Sequence, residues 1–180
     1  MSDTVEQVVA SRTVYSGTML NVRVETVQRG EGRPSEREIV VPRGAVAMVA
    51  IDERGQALFV RQYRSAIHRE LLEIPAGTLN PGEPPDDCAR RELAEEVNLQ
   101  AARWTPLAAV YSSPGFCTEM IHLYLAEGLS HADGQPDEGE ELTVVRLPLS
   151  DTLSLIASGK IQDAKTTAGL LLALEVRRTR

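Results

Sequence analysis

Three carboxylates fall within one short stretch of Ala89-Arg-Arg-Glu-Leu-Ala-Glu-Glu-Val-Asn98: Glu92, Glu95 and Glu96. At about 100° per residue they occupy one narrow sector of a helix. Like charges three and four residues apart weaken a helix. A hard divalent cation relieves that repulsion. Mg2+ takes oxygen ligands and keeps several waters, which suits carboxylates that handle a phosphate substrate. The ordinary alternative for such a run is a solvated acidic face. Two features weigh against it. The carboxylates cluster instead of alternating with lysines, and an apolar strand ending in Gly77 leads straight into the loop before them. Ala89, Leu93 and Val97 fall on the adjoining sector, so the acidic stripe borders the core-facing one.

The elements that must hold this helix can be read on either side of it. LNPGEPPDD supplies start signals: Pro84 and Pro85 suit a first turn, and Asp86 and Asp87 suit the positive end of the dipole. Asn98 tolerates the left-handed conformation with which a helix ends. Upstream, AVAMVAID (45–52), the turn ERGQ and ALFVRQY (57–63) predict a β-hairpin of buried strands. ELLEIPAG (70–77) predicts one further short strand. Downstream, WTPLAAVYSSPG and EMIHLYLAEGL predict two strands around a Pro-Gly loop. Residues 131–141 form an acidic, glycine-containing loop, and LTVVRLPL a last strand. SDTLSLIASG and DAKTTAGLLLALEVRR predict two closing helices, with Ser150 or Asp151 and Asp163 as caps. Before all of this stand strand-like runs: VASRTVYSG, then MLNVRVETVQ with Leu20, Val22, Val24 and Thr26 alternating with polar residues, then REIVVPRG. Strands interleaved with helices predict an α/β or α+β sandwich.

The 180 residues suffice for a domain with a sizeable core. A formal net charge of −7 argues against nucleic-acid binding driven by bulk electrostatics. An acidic chain that handles an anionic substrate needs a metal or a few placed arginines. Cys88 and Cys117 match no metal spacing and no disulfide framework, which fits a reducing compartment. The N-terminal residues lack an apolar signal core, and no segment reaches membrane-spanning length. The expectation is a cytoplasmic protein with neither membrane nor nucleic-acid partners. An EF-hand is excluded by spacing. His68, His122 and His131 show no ligand spacing. Tyr111, Phe116 and Trp104 could stack on a base, although a core role is the plainer expectation for each.

Gly77, five residues, Glu83, seven residues, Arg91-Glu92-Leu93, one residue, Glu95-Glu96, one residue and Asn98-Leu99 resembles the Nudix box, G-x5-E-x7-R-E-U-x-E-E-x-G-U. Every position matches except Asn98, where the family has glycine. The resemblance implies an α/β/α sandwich with a mixed sheet, here with additional N-terminal antiparallel strands. It implies hydrolysis of a nucleoside diphosphate linked to another moiety. It also implies metal ligation by Glu92 and Glu96, with Glu95 as a further ligand or an orienter of water and the Ala76 carbonyl completing the shell. The metal it implies is Mg2+, with Mn2+ the alternative. Glu83 and Arg91 are implied as a structural ion pair.

Outside the box, VRQYR (60–64), LLEIPAGTL (71–79), YSSPGF (111–116) and KIQDAKT (160–166) resemble the ADP-ribose pyrophosphatase branch. That resemblance implies a substrate-marking role for Pro114 with Gly115, fifteen residues beyond Leu99. A bare turn residue is the competing reading. Arg64 matches an arginine that meets the diphosphate, a task suited to a guanidinium. Arg37 matches a position that reaches a neighbouring subunit. The branch places a catalytic base in the loop GQPDEGEEL: Glu138 first, Glu140 second. Closing such a loop would exclude water. The implied activity is Mg2+-dependent conversion of ADP-ribose to AMP and ribose 5-phosphate. The rivals are another nucleotide-sugar hydrolase, such as one for ADP-glucose, and a non-catalytic nucleotide-sensing module. Such modules usually lose a box glutamate, and all are present here. The expected organisation is an N-terminal block, residues 1–44, serving homodimerisation, followed by a hydrolase domain, residues 45–180.

Overall fold

The computed structural model describes residues 5–134 and 142–180. Two compact units emerge, residues 1–44 with 111–120, and residues 45–110 with 121–180. The first holds a three-stranded antiparallel sheet in the order β1 (Gln7–Ser16), β2 (Leu20–Gln28), β3 (Ser35–Pro42). β2 and β3 pair without interruption from Leu20↔Pro42 to Val27↔Ser35, whereas β1 carries two register shifts. Val24 and Val27 of β2 are buried, so the strict alternation read from Leu20, Val22 and Val24 is only partly kept. Every residue of β1 is exposed.

The second unit is built on β4 (Ala45–Ile51), a strand buried on both faces. Successive side chains of a strand point to opposite faces, and β4 divides accordingly. Val46, Met48 and Ala50 pack with Cys88, Ala89, Leu93 and Val97 of α1 (Pro85–Val97). Ala47, Val49 and Ile51 pack with Leu170 and Ala173 of α3 (Ala164–Arg178). This two-sided packing is the α/β/α sandwich. The sheet is mixed: β4 runs parallel to β9 (Met120–His131), while β10 (Thr143–Pro148) is antiparallel to β5 (Gln56–Arg64). β8 (Leu99–Tyr111) follows α1 directly, starting earlier than the Trp104 run suggested.

The predicted hairpin of β4 and β5 is present but short. The two strands pair at Ile51↔Ala57, beside the turn, and then part. β6 (Arg69–Glu73) takes over the edge of β5, and β7 (Ala76–Thr78) takes that of β4. ELLEIPAG is therefore two strands, not one. Pro75 has no N–H to give a ladder, and the chain changes partner there. Ile74 N–H goes instead to Thr166 Oγ1 at 3.0 Å, and the Pro75 carbonyl accepts from Met48 N–H. Asp163 caps α3 by accepting from Thr166 N–H, as expected. Asp151 precedes α2 (Thr152–Ala157) without a side-chain capping bond, because the turn Leu149–Asp151 already continues into the helix.

Candidate active site

The loop and the first turn of α1 are fixed locally. Asn80 and Glu83 exchange hydrogen bonds, Asn80 N–H to Glu83 Oε2 at 2.8 Å and Glu83 N–H to the Asn80 carbonyl at 3.0 Å. Pro84 stands at the N-cap in extended conformation and Pro85 opens the helix, where its missing N–H is no loss. Asn98 ends the helix at φ 54°, ψ 41°, its N–H returned to the Ala94 carbonyl. This is a left-handed exit, the conformation that glycine most readily adopts.

Arg91 is the hub. Its Nε and Nη2 grip Glu83 at 2.8 and 2.9 Å, and Nη1 donates to Glu92 Oε1 and Glu95 Oε2, each at 2.7 Å. The Arg91 bond holds the Glu83 carboxyl down to about 2, with the Asn80 N–H assisting. Glu83 itself is the first cause of a raised Arg91. Burial pushes the neighbouring Cys88 thiol up to about 12, and the charges of Glu83 and Glu92 add to this, which disfavours the thiolate.

Glu92 and Glu96 converge on two adjacent residues, Gly77 and Ala76. Glu96, almost buried, accepts the Ala76 N–H through Oε2 at 3.0 Å. The Glu92 carboxylate fills the space where a side chain on Gly77 would begin: a Cβ there would lie 1.8 Å from Glu92 Cδ. Among the described residues, no three of His, Cys, Asp and Glu already form a cage for an ion. Arg91 bridges Glu92 and Glu95 instead. The donors are nonetheless all oxygens, from two carboxylates meeting at a backbone that carries the Ala76 carbonyl. That set fits a hard divalent cation.

Arg64, at the end of β5, forms a bidentate pair with Glu73, Nε at 2.8 Å and Nη2 at 2.7 Å. Lys165 of α3 bonds the same carboxylate. Glu73 is 1% exposed. Burial works to raise its pKa, but Arg64 and Lys165 outweigh this and hold it below the usual carboxylate range. The Glu73 bond likewise raises Arg64, with Asp163 and Glu96 close enough to contribute. The sequence marked Arg64 but neither Glu73 nor Lys165 as a site residue. Both sit in segments it had marked, LLEIPAGTL and KIQDAKT, but their contact spans 92 positions.

The second unit thus gathers Arg64, Ala76, Glu92, Glu95 and Glu96. Pro114, Gly115 and Arg37 belong to the first. Pro114 and Gly115 form a tight turn closed by Cys117 N–H to the Ser113 carbonyl at 2.9 Å, and the turn is held on β3 through Val40. Arg37 reaches Glu6 within its own unit at 2.5 Å. Tyr111 and Phe116 are 57% and 58% exposed, so neither takes the core role expected of it. Trp104 does pack, edge to face with Tyr124 at 6.1 Å and beneath Arg90. Glu138 and Glu140 lie outside the described residues.

The chain is a member of the NUDIX domain family, whose model matches residues 41–170. It is 40% identical to the ADP-ribose pyrophosphatase of Bacillus subtilis (strain 168), over 89% of this chain and 88% of that one. It is 37% identical to the methanol dehydrogenase activator of Bacillus methanolicus, with the same coverage of 89% and 88%. A crystal structure of an ADP compounds hydrolase superposes with a TM-score of 0.88 at 25% identity, covering 97% of this chain and 95% of that one. No helix among the described residues is long and apolar enough to cross a membrane.

Proposed function

We propose that this Nudix hydrolase cleaves the diphosphate of ADP-ribose with the help of a divalent cation, giving AMP and ribose 5-phosphate. Water adds to one phosphorus, and the bridging oxygen leaves with the other phosphate. The observation that carries the reading is the convergence of Glu92 and Glu96 on two adjacent residues, Gly77 and Ala76. Glu92, Glu96 and the Ala76 carbonyl would hold Mg2+, or Mn2+, with Glu95 as a further ligand or orienter of water. When bound, the ion supplies charge neutralisation for the diphosphate and Lewis-acid activation of the attacking water. Arg64 presents its guanidinium to the diphosphate. Pro114 and Gly115 shape the substrate side, and a loop carboxylate, Glu138 before Glu140, accepts the proton from water.

The test separates these roles. Glu96→Gln keeps shape but removes a charged ligand, and activity falls by roughly two or more orders of magnitude. Glu138→Gln lowers turnover with substrate and Mg2+ binding close to normal. If Glu140→Gln behaves that way instead, the base is Glu140; if neither does, the base lies outside this loop.

The same reading makes the protein a homodimer. β1 is an edge strand bearing exposed Val8, Val9, Val14 and Tyr15, with Met19 following. An open edge rich in apolar side chains calls for a cover, and a second copy in two-fold symmetry is the commonest one. Arg37 would then act on substrate bound in the neighbouring subunit. The two unpaired cysteines are in keeping with a cytoplasmic location.

A further inference from the structure

We infer that Glu73 and Lys165 are positioning residues, which hold the Arg64 guanidinium so that its unused edge is aimed at the substrate diphosphate. The inference rests on the reading of Arg64 given above. A guanidinium has five N–H donors in a planar fork. Glu73 takes Nε and one N–H of Nη2, which fixes the plane and leaves Nη1 on the opposite edge. The Arg64 side chain is 39% exposed while Glu73 is 1% exposed, so Arg64 reaches from a buried carboxylate toward solvent.

A buried carboxylate with one cation would be a costly anchor. Lys165 supplies the second, and its own side chain is only 12% exposed. Lys165 is held in turn by Asp163 at 3.0 Å. Asp163 caps α3, accepting from Thr166 N–H at 2.9 Å and from its hydroxyl at 2.6 Å. Thr166 Oγ1 accepts the N–H of Ile74, the residue after Glu73. The start of α3 is thereby tied twice to the end of β6, through the Glu73 carboxylate and through the N–H of the following residue. One continuous chain of bonds runs from a helix cap to the arginine, 99 residues away in sequence (163 − 64). Neither Glu73 nor Lys165 need touch substrate to matter. A guanidinium that rotates freely loses its orientational advantage.

The experiment is a kinetic double-mutant cycle with ADP-ribose and Mg2+, reading KM and kcat separately. Arg64→Ala raises KM roughly tenfold, the cost of a lost bond to a charged group. Lys165→Met raises KM several-fold, about three- to fivefold, with kcat changed by less than about twofold, and Lys165→Arg restores KM. In the Arg64→Ala background, Lys165→Met adds nothing, because its effect passes through Arg64. Glu73→Gln repeats this pattern where it folds; Lys165→Met carries the test where it does not. Arg64→Lys replaces Arg64→Ala if the latter fails to fold. Equal KM effects of Lys165→Met in both backgrounds overturn the positioning role, as does an unchanged KM in Lys165→Met while Arg64→Ala is impaired. An unchanged KM in the Arg64 variants overturns the reading of Arg64 itself, and the inference falls with it.

Discussion

Gly77 decides where the Glu92 carboxylate can lie. A Cβ at this position would meet that carboxylate at 1.8–2.2 Å, and the atoms it meets end a flexible side chain. Gly77→Ala therefore moves Glu92 and spares the fold. Turnover falls about a hundredfold, as when a single charge-stabilising group is lost, with Tm within a few degrees of the parent. Near-parental turnover would show that Glu92 is not used from this position. The sequence made the placement of the carboxylates legible, since their spacing fixes them on one side of a helix whatever the surroundings. It did not make Arg91 legible as a bridge to Glu92 and Glu95, because that depends on which way a long side chain turns. The Lys165–Glu73 pair was hidden for another reason: contacts across 92 positions leave no local periodicity.

Helix α1 is legible almost from end to end, because its signals are local: two prolines and two aspartates at the start, Asn98 at the exit. The β4–β5 hairpin was legible but its shortness was not, because apolar runs and a turn signal describe a hairpin equally well whether or not a third segment enters it. Pro75 was the available clue, since it cannot continue a ladder. The loop leading into α1 is fastened by Glu83 and Arg91, and this fastening depends on pH. The folded Glu83 carboxyl is held at about 2, below its ordinary value of 4.5. A carboxyl depressed on folding contributes stability above its unfolded pKa, and that contribution is lost as pH falls through the folded one. Glu83→Gln should lower Tm by about 2–4 °C near neutral pH, the effect of about 1 kcal/mol in a chain of this size. The difference should shrink between pH 4.5 and pH 2. Melting curves across that window check it, and a pH-independent difference would refute the electrostatic account.

The sandwich was legible at the scale of the whole molecule because β4 is apolar at every position and must be covered on both faces. The exposure of β1, Tyr111 and Phe116 was not, since local sequence cannot say what a second copy would cover. If two subunits share sites, mixing Arg37→Ala with Glu96→Gln, each inactive alone, restores activity in heterodimers that contain one site with both residues. No recovery after confirmed subunit exchange would assign Arg37 to its own subunit, and a monomer in sedimentation would end the dimer proposal. The central claim is hydrolysis of ADP-ribose at the Glu92–Glu96 centre, and it is tested most directly by identifying products. Incubated with ADP-ribose and Mg2+ beside a panel including ADP-glucose, the protein should convert ADP-ribose preferentially to equal amounts of AMP and ribose 5-phosphate, and chelation should stop the reaction. Faster cleavage of another nucleotide sugar, or intact ADP-ribose after prolonged incubation with metal, would contradict it.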